Sequence, residues 1–178
     1  MTQPETLLDA SSPASPEGER GIGYAFVNEV RSLLRAERRG DLAELRRLDP
    51  NQPGAPAFFR IVAKVAPEAG VGSMRDYAHY LRILALNPEA LSNDRLGAVM
   101  AASGVSESRA QRLLTARGEA LRAQLRLVAR RLANAGNLPW KGFADLLLTN
   151  EKHADDARLR IARDYWRALD RAEAHPES

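Results

Sequence analysis

Between Glu107 and Asn134 apolar residues recur at helical spacing, and no other stretch restricts the fold as much. At about 100° per residue, Ala110, Leu113, Leu114, Leu121, Leu125, Val128 and Leu132 fall in one sector, with Arg112, Arg122, Arg126 and Arg130 roughly opposite. The pattern predicts one long helix with a face that needs a core and a face that attracts anions. Ser106 and Ser108 suit its N-cap, and Gly136, just past the last periodic residue, suits a left-handed C-terminal cap. Seven arginines lie between Arg109 and Arg131 against one acid, Glu119, so pairing along the helix cannot neutralise them. Either acids elsewhere in the fold compensate, or an external polyanion does.

The rest of the chain also reads as helices. Residues 1–19, with Pro4, Pro13, Pro16 and three serines, read as a disordered tail. Phe26, Val27, Val30, Leu33 and Leu34 predict a helix from Gly23 to about Arg39, ended by Gly40. Asp41, as N-cap, opens a short helix to Leu48 that stops at Asp49-Pro50. Ala57 to Val62 reads as a buried helix with Phe58, Phe59 and Ile61 in the core, ending near Pro67. Ser73 then caps a helix through Tyr77, Tyr80, Leu81, Leu84 and Leu86. Arg95 to Ala102 forms another, and after the central stretch Pro139 begins a short helix through Phe143, Leu146 and Leu147. The last, from about Asp155 to Ala172, places Leu159, Ala162, Tyr165, Trp166 and Leu169 on one stripe, with Arg158, Arg160, Arg163, Arg167 and Arg171 around the rest. No segment sustains period-two alternation, so the expected class is all-α: a compact helical protein with one long central amphipathic helix.

Composition excludes several classes. At 44% hydrophobic and 28% charged over 178 residues, the chain can bury a proper core. No apolar run approaches the roughly 20 residues of a spanning helix, and the N-terminus lacks the layout of a signal peptide, so a cytoplasmic protein is expected. Zero cysteines rule out disulfides and thiolate metal sites. Of 26 basic residues only Lys64, Lys141 and Lys152 are lysine. Arginine's planar fork suits phosphate and stacks on bases. A GC-rich genome accounts for the ratio of arginine to lysine, but not for where the arginines cluster.

Nothing in the sequence points to catalysis. His79, His153 and His175 are scattered without an i,i+4 pair, and Asp155-Asp156 reads as the capping start of the last helix rather than a metal pair. No phosphate loop or nucleophile elbow is present. Phe58, Phe59, Tyr77, Tyr80, Trp140, Phe143, Tyr165 and Trp166 sit among aliphatics at helical spacing, as core residues do, with Trp140 the least settled. No catalytic residue, cofactor or metal site is expected.

Three readings of the arginines stand. Leu96 to Ala102, the turn around Gly104 and the helix after it have the outline of a DNA-reading helix-turn-helix. Arginines that continue for about 20 residues, roughly 30 Å, suit sequence-independent contact with a phosphate backbone instead. An all-α scaffold for protein partners would look much the same. Arg117 and Arg131, on the flank of the apolar face, suit contacts within the molecule or between subunits.

Leu45-Arg46-Arg47, then Pro56-Ala57-Phe58-Phe59-Arg60, Leu113-Leu114 with Ala116-Arg117, Arg130-Arg131-Leu132 and a closing Arg163-Asp164-Tyr165-Trp166 resemble, in this order, the CasB family. These are small subunits of the type I-E Cascade complex, the CRISPR-RNA-guided surveillance assembly, and the likeness spans about residues 24–170. It implies a non-catalytic protein of two helical bundles, here residues 20–105 and 106–178, present as a pair beside other Cascade subunits. It further implies contacts to CRISPR RNA and to target and non-target DNA backbones that stabilise the guide-target hybrid and displaced strand, with no membrane or small-molecule substrate. Guide pairing reads the sequence, so such a subunit need only read charge and shape. The motif match carries this role to Arg46 and Arg47, and to Arg75 and Arg82 on the following helix, whereas Arg112, Arg122, Arg126 and Arg130 rest on periodicity. Arg60, beside the two phenylalanines, is instead a candidate structural ion-pair partner.

Overall fold

The computed structural model describes residues 16–174, and among these it forms nine α-helices and one two-stranded sheet, so the class is all-α as expected. Helix α1 (Pro16–Arg35) starts inside the stretch read as tail. Residues 1–15 and His175 lie outside the described residues. Phe26, Val27 and Val30 of α1 are fully buried, and the helix stops before Gly40. Arg38 N–H donates to Leu33 O (2.9 Å) and Glu37 N–H to Leu34 O (3.1 Å), while Glu37 takes φ 53°. That is a Schellman closure with glutamate in the left-handed position where glycine was expected three residues later.

Gly40 accordingly lies inside α2 (Arg39–Arg47). Asp41 is in its first turn rather than at its N-cap, held by Arg38 at 2.7 Å and Arg60 at 2.9 Å. Helix α3 (Pro56–Val65) has proline at its first position, where the missing N–H is harmless, and Glu44 accepts a bond from Ala57 N–H (3.2 Å). Phe58 and Ile61 are core, but Phe59 is 51% exposed. Helix α4 (Val71–Leu84) starts before Ser73, and it buries Ala78, Tyr80, Leu81, Ile83 and Leu84.

The sheet is one short parallel pair, β1 (Leu91–Ser92) with β2 (Leu138–Pro139). Helix α5 (Leu96–Ala102) follows β1, and helix α8 (Trp140–Leu147) follows β2. Trp140 belongs to the core, with its ring N–H donated to Asn93 Oδ1 (2.8 Å). Helix α9 (Glu151–Ala174) begins earlier than expected, because Asn150 Oδ1 accepts the His153 N–H (3.0 Å) and so serves as the cap assigned to Asp155-Asp156. Its buried stripe is Ala154, Ala157, Arg158, Ile161 and Tyr165. Leu159, expected inward, is 70% exposed, and Arg158, expected outward, is 5% exposed. The Arg158 side chain is covered by its neighbours, and its guanidinium is held by the carboxylates of Glu151 (3.1 Å) and Asp155 (2.7 Å), which are themselves exposed.

Gly97 allows α5 to lie directly on α9: a Cβ there would stand 2.1 Å from Ile161 O and 2.7 Å from Tyr165 N. Tyr165 Oη donates to Val105 O (2.6 Å), which ties α9 to the turn after α5. That turn closes on Gly104 at φ 67°.

The single helix expected over 107–134 is two. Helix α6 (Glu107–Thr115) ends at an extended Ala116-Arg117, and helix α7 (Gly118–Asn134) begins with Gly118 at φ 53°. Arg117 holds the break open. Its Nη1 donates to the carbonyl oxygens of Leu114, Thr115 and Ala116 (3.3, 3.3 and 3.0 Å), and its other nitrogens pair with Glu151 (2.8 Å) and Asp155 (2.7 Å) of α9. The orphan carbonyls at the end of α6 are thereby satisfied without continuing the helix. The long central amphipathic helix is therefore α7, which buries Leu121, Leu125, Val128 and Leu132 and ends, as expected, at Gly136 (φ 79°). All these apolar groups join one contiguous core.

Candidate nucleic-acid interface

Helices α4 and α7 pack side by side. Arg75 and Asp76, early in α4, bond Glu119 and Arg122, early in α7, while Arg82, late in α4, faces Arg126 and Arg130, late in α7. The two helices thus run parallel, and their two halves differ in charge.

The first halves are neutralised. Asp76 Oδ1 accepts from both Nε (2.8 Å) and Nη2 (2.7 Å) of Arg122, whose Nη1 donates to Glu119 Oε1 (2.6 Å). Glu119 also pairs with Arg75 at 2.8 Å, and Arg75 donates to Asn51 Oδ1. Burial works against the charge on Arg122, yet the bonds from Asp76 and Glu119 outweigh it and raise its pKa. The same bond from Arg122 leads in lowering the Glu119 carboxyl. His79, one turn further along α4, is lowered from 6.5, chiefly by burial and then by Arg122. The expectation of outward-facing Arg75 and Arg122 is corrected by these partners: Asp76, on a helix well back along the chain, supplies the acid that the local stretch lacks.

The second halves are not neutralised. Among the described residues, none of Arg46, Arg47, Arg82, Arg112, Arg126 and Arg130 has a carboxylate within the 4.0 Å of a salt bridge. Burial first, then the charges of Arg126 and Arg130, push the Arg82 guanidinium below its ordinary value, while Asp49 acts weakly the other way. Burial alone lowers an arginine, and here the two neighbouring cations add to it. Arg126 and Arg130 are exposed, and Arg82 is half-buried.

Helix α2 brings two more. Arg46, in its last turn, donates Nε to Ala85 O (2.6 Å), the C-cap residue of α4. That bond caps a terminal carbonyl and sets the guanidinium one turn from Arg82, with its Nη groups unused within the described residues. Arg47 follows it, exposed. The C-terminal dipole ends of α2 and α4 lie under Arg46, Arg47 and Arg82 and offset part of their mutual repulsion. Arg112 is exposed on α6, outside the α4–α7 pair.

The sequence reading therefore gathers Arg46, Arg82, Arg126 and Arg130, with Arg47 adjacent, and yields Arg75 and Arg122 to ion pairs. It missed Asp76 as the partner of Arg122; the signal was an acid beside Arg75 on the helix turned toward the arginine-rich stretch. Arg60 and Arg117 pair with acids as anticipated, and Arg131 donates Nε to Ser103 O (2.7 Å). Among the described residues, no group of three or more His, Asp or Glu is placed to hold a metal ion, and no helix is long and apolar enough to cross a membrane.

Residues 41–166 match the family model for CRISPR-associated protein Cse2. The chain belongs to that family. Cse2, also called CasB, is the small subunit of type I-E Cascade, so the chain is a structural subunit of this CRISPR defence complex. No curated relative and no solved structure matches it. The matched span contains all eight arginines named above as candidate contacts.

Proposed function

We propose that this Cse2 subunit binds the phosphate backbones of CRISPR RNA and of target and displaced DNA, without reading bases, through Arg46, Arg47, Arg82, Arg126 and Arg130. Arg112 is a separate contact on α6. In this reading the chain works in the cytoplasm, as one of a pair beside other Cascade subunits, and has no catalytic step. R-loop formation is a near-balanced exchange of one duplex for another, so backbone contacts of modest strength decide its extent. The observation that carries the reading is the trio Arg82, Arg126 and Arg130, brought near one another by two packed helices with no carboxylate in a salt bridge to any of them among the described residues. Three adjacent guanidiniums repel one another in the free protein, and an approaching phosphate relieves that repulsion while gaining charge-assisted bonds.

The experiment is R-loop formation by reconstituted Cascade carrying Arg82→Ala, Arg126→Ala and Arg130→Ala together. Every phosphate that is no longer neutralised makes the slope of log affinity against log salt shallower by about 0.7 to 0.9. The triple variant is expected to form R-loops more weakly, with a slope shallower by about 2. Wild-type affinity and slope in the triple variant would remove this face from the proposal.

A further inference from the structure

The neutral half of the α4–α7 pair has a role toward the charged half. We propose that Asp76 is a positioning residue: by holding Arg122 it fixes where α7 stops along α4, and so keeps Arg126 and Arg130 over Arg82. This rests on the reading that the trio binds phosphate. Left alone, three like charges drive their helices or side chains apart. Leu121 and Leu125 hold α7 down through buried apolar contact, which is non-directional and tolerates a small slide. The Asp76–Arg122 bond does not tolerate one, because a single carboxylate oxygen receives two nitrogens of one planar group at 2.8 and 2.7 Å. It is also the most shielded ion pair of the network, with side chains 27% and 21% exposed against 60% for Glu119. Arg126 lies one turn beyond Arg122 on the same helix, so the point that is locked sits next to the charges that need it. A cluster already assembled spares the bound strand the loss of freedom that ordering those side chains entails.

The test exploits a sign. Asp76→Asn removes a negative charge near a cationic site, and the field alone would tighten anion binding. Asp49→Asn removes the same charge from beside Arg82, where Asp49 holds no arginine in a salt bridge. Full-length protein is titrated with labelled random-sequence single-stranded DNA at several salt concentrations. Asp76→Asn is expected to bind about three- to tenfold more weakly, the ordering of one or two arginine side chains. Asp49→Asn is expected to bind no more weakly than wild type, and Asp76→Glu to restore part of the affinity. Arg122→Lys keeps every charge but cannot give two nitrogens to one oxygen, and is expected to weaken binding as Asp76→Asn does. That second variant decides the matter if Asp76→Asn does not fold. Wild-type or tighter binding by Asp76→Asn, or wild-type binding by Arg122→Lys, overturns the positioning role. If the Arg82, Arg126 and Arg130 triple variant still binds poorly in that case, the phosphate face stands without it; if the triple variant also binds as wild type, the face itself fails.

Discussion

At Glu37 a single side chain stands where the backbone asks for none. The residue closes α1 in the left-handed region at φ 53°, a conformation whose Cβ clash costs an L-residue about 1–2 kcal/mol. The carbonyls of Leu33 and Leu34 are satisfied by the turn whatever the residue at 37. Glu37→Gly should therefore stabilise the fold by about 0.5–1 kcal/mol, after glycine's greater freedom in the unfolded chain is set against the relieved strain. Urea unfolding checks this: the midpoint should rise with the slope unchanged. A lower midpoint would mean that the glutamate side chain itself supplies a contact worth more than the strain. Individual residues are also where sequence reading slips. Leu159 and Arg158 are neighbours on α9, and an apolar stripe drawn through the leucine is reasonable until Glu151 and Asp155, exposed earlier on the same helix, are seen to hold the covered arginine. Periodicity weighs each residue by its own polarity and cannot see a pairing that lets a charge be buried.

At the scale of elements, periodicity finds the helices and misplaces their ends. The buried faces of α7 and α8, and most of those of α3 and α4, are legible, since each is decided by spacing within its own stretch; Phe59 of α3, expected inside, is exposed. The break between α6 and α7 is not, because the apolar sector continues across it from Leu113 to Leu121 and its cause, Glu151 and Asp155 bonding Arg117, lies on another helix. Gly118 is the visible hint. The contact of α5 with α9 is equally hidden, and it rests on Gly97. A methyl group at that position would meet Ile161 O at 2.1 Å and Tyr165 N at 2.7 Å, both backbone atoms of a packed helix that cannot swing aside. Gly97→Ala must separate the two helices and loosen Met100 and Tyr165 in the core. Although alanine is the better helix former, the overpacking should prevail and destabilise the protein by about 3 kcal/mol. Thermal unfolding is the check, and an unchanged or raised midpoint would contradict the closeness of these helices.

For the whole molecule, the arrangement of charge matters more than its amount. A formal net charge of +3 is modest, and many arginines are spent inside the protein, as the pairs at Arg60, Arg117, Arg122 and Arg158 illustrate. Of the arginines left without an acid partner among the described residues, those of α2, α4 and α7 come together from positions as far apart as 46 and 130, while others, such as Arg112 of α6, lie apart. Sequence could supply the members but only part of the selection: Glu119, three residues before Arg122, is a local sign that Arg122 is paired and Arg126 is not, but its second partner, Asp76, lies on another helix. This arrangement also bears on the helix-turn-helix alternative. A reader of bases concentrates its contacts on one helix entering the major groove, whereas here the candidate contacts come from three helices, with Arg112 on a fourth, an arrangement that suits phosphates rather than base edges. The prediction is that the chain does not discriminate between duplexes. Titrated with a panel of unrelated duplexes at fixed salt, it should bind all with affinities equal to within about 1 kcal/mol, where a regulator separates its own site from random DNA by about 4–10 kcal/mol. Raising the salt should weaken every member of the panel in parallel, because the same counterions are released from each. One duplex that kept its affinity as the others fell would show that bases are being read, and the face formed by α2, α4 and α7 would no longer account for binding.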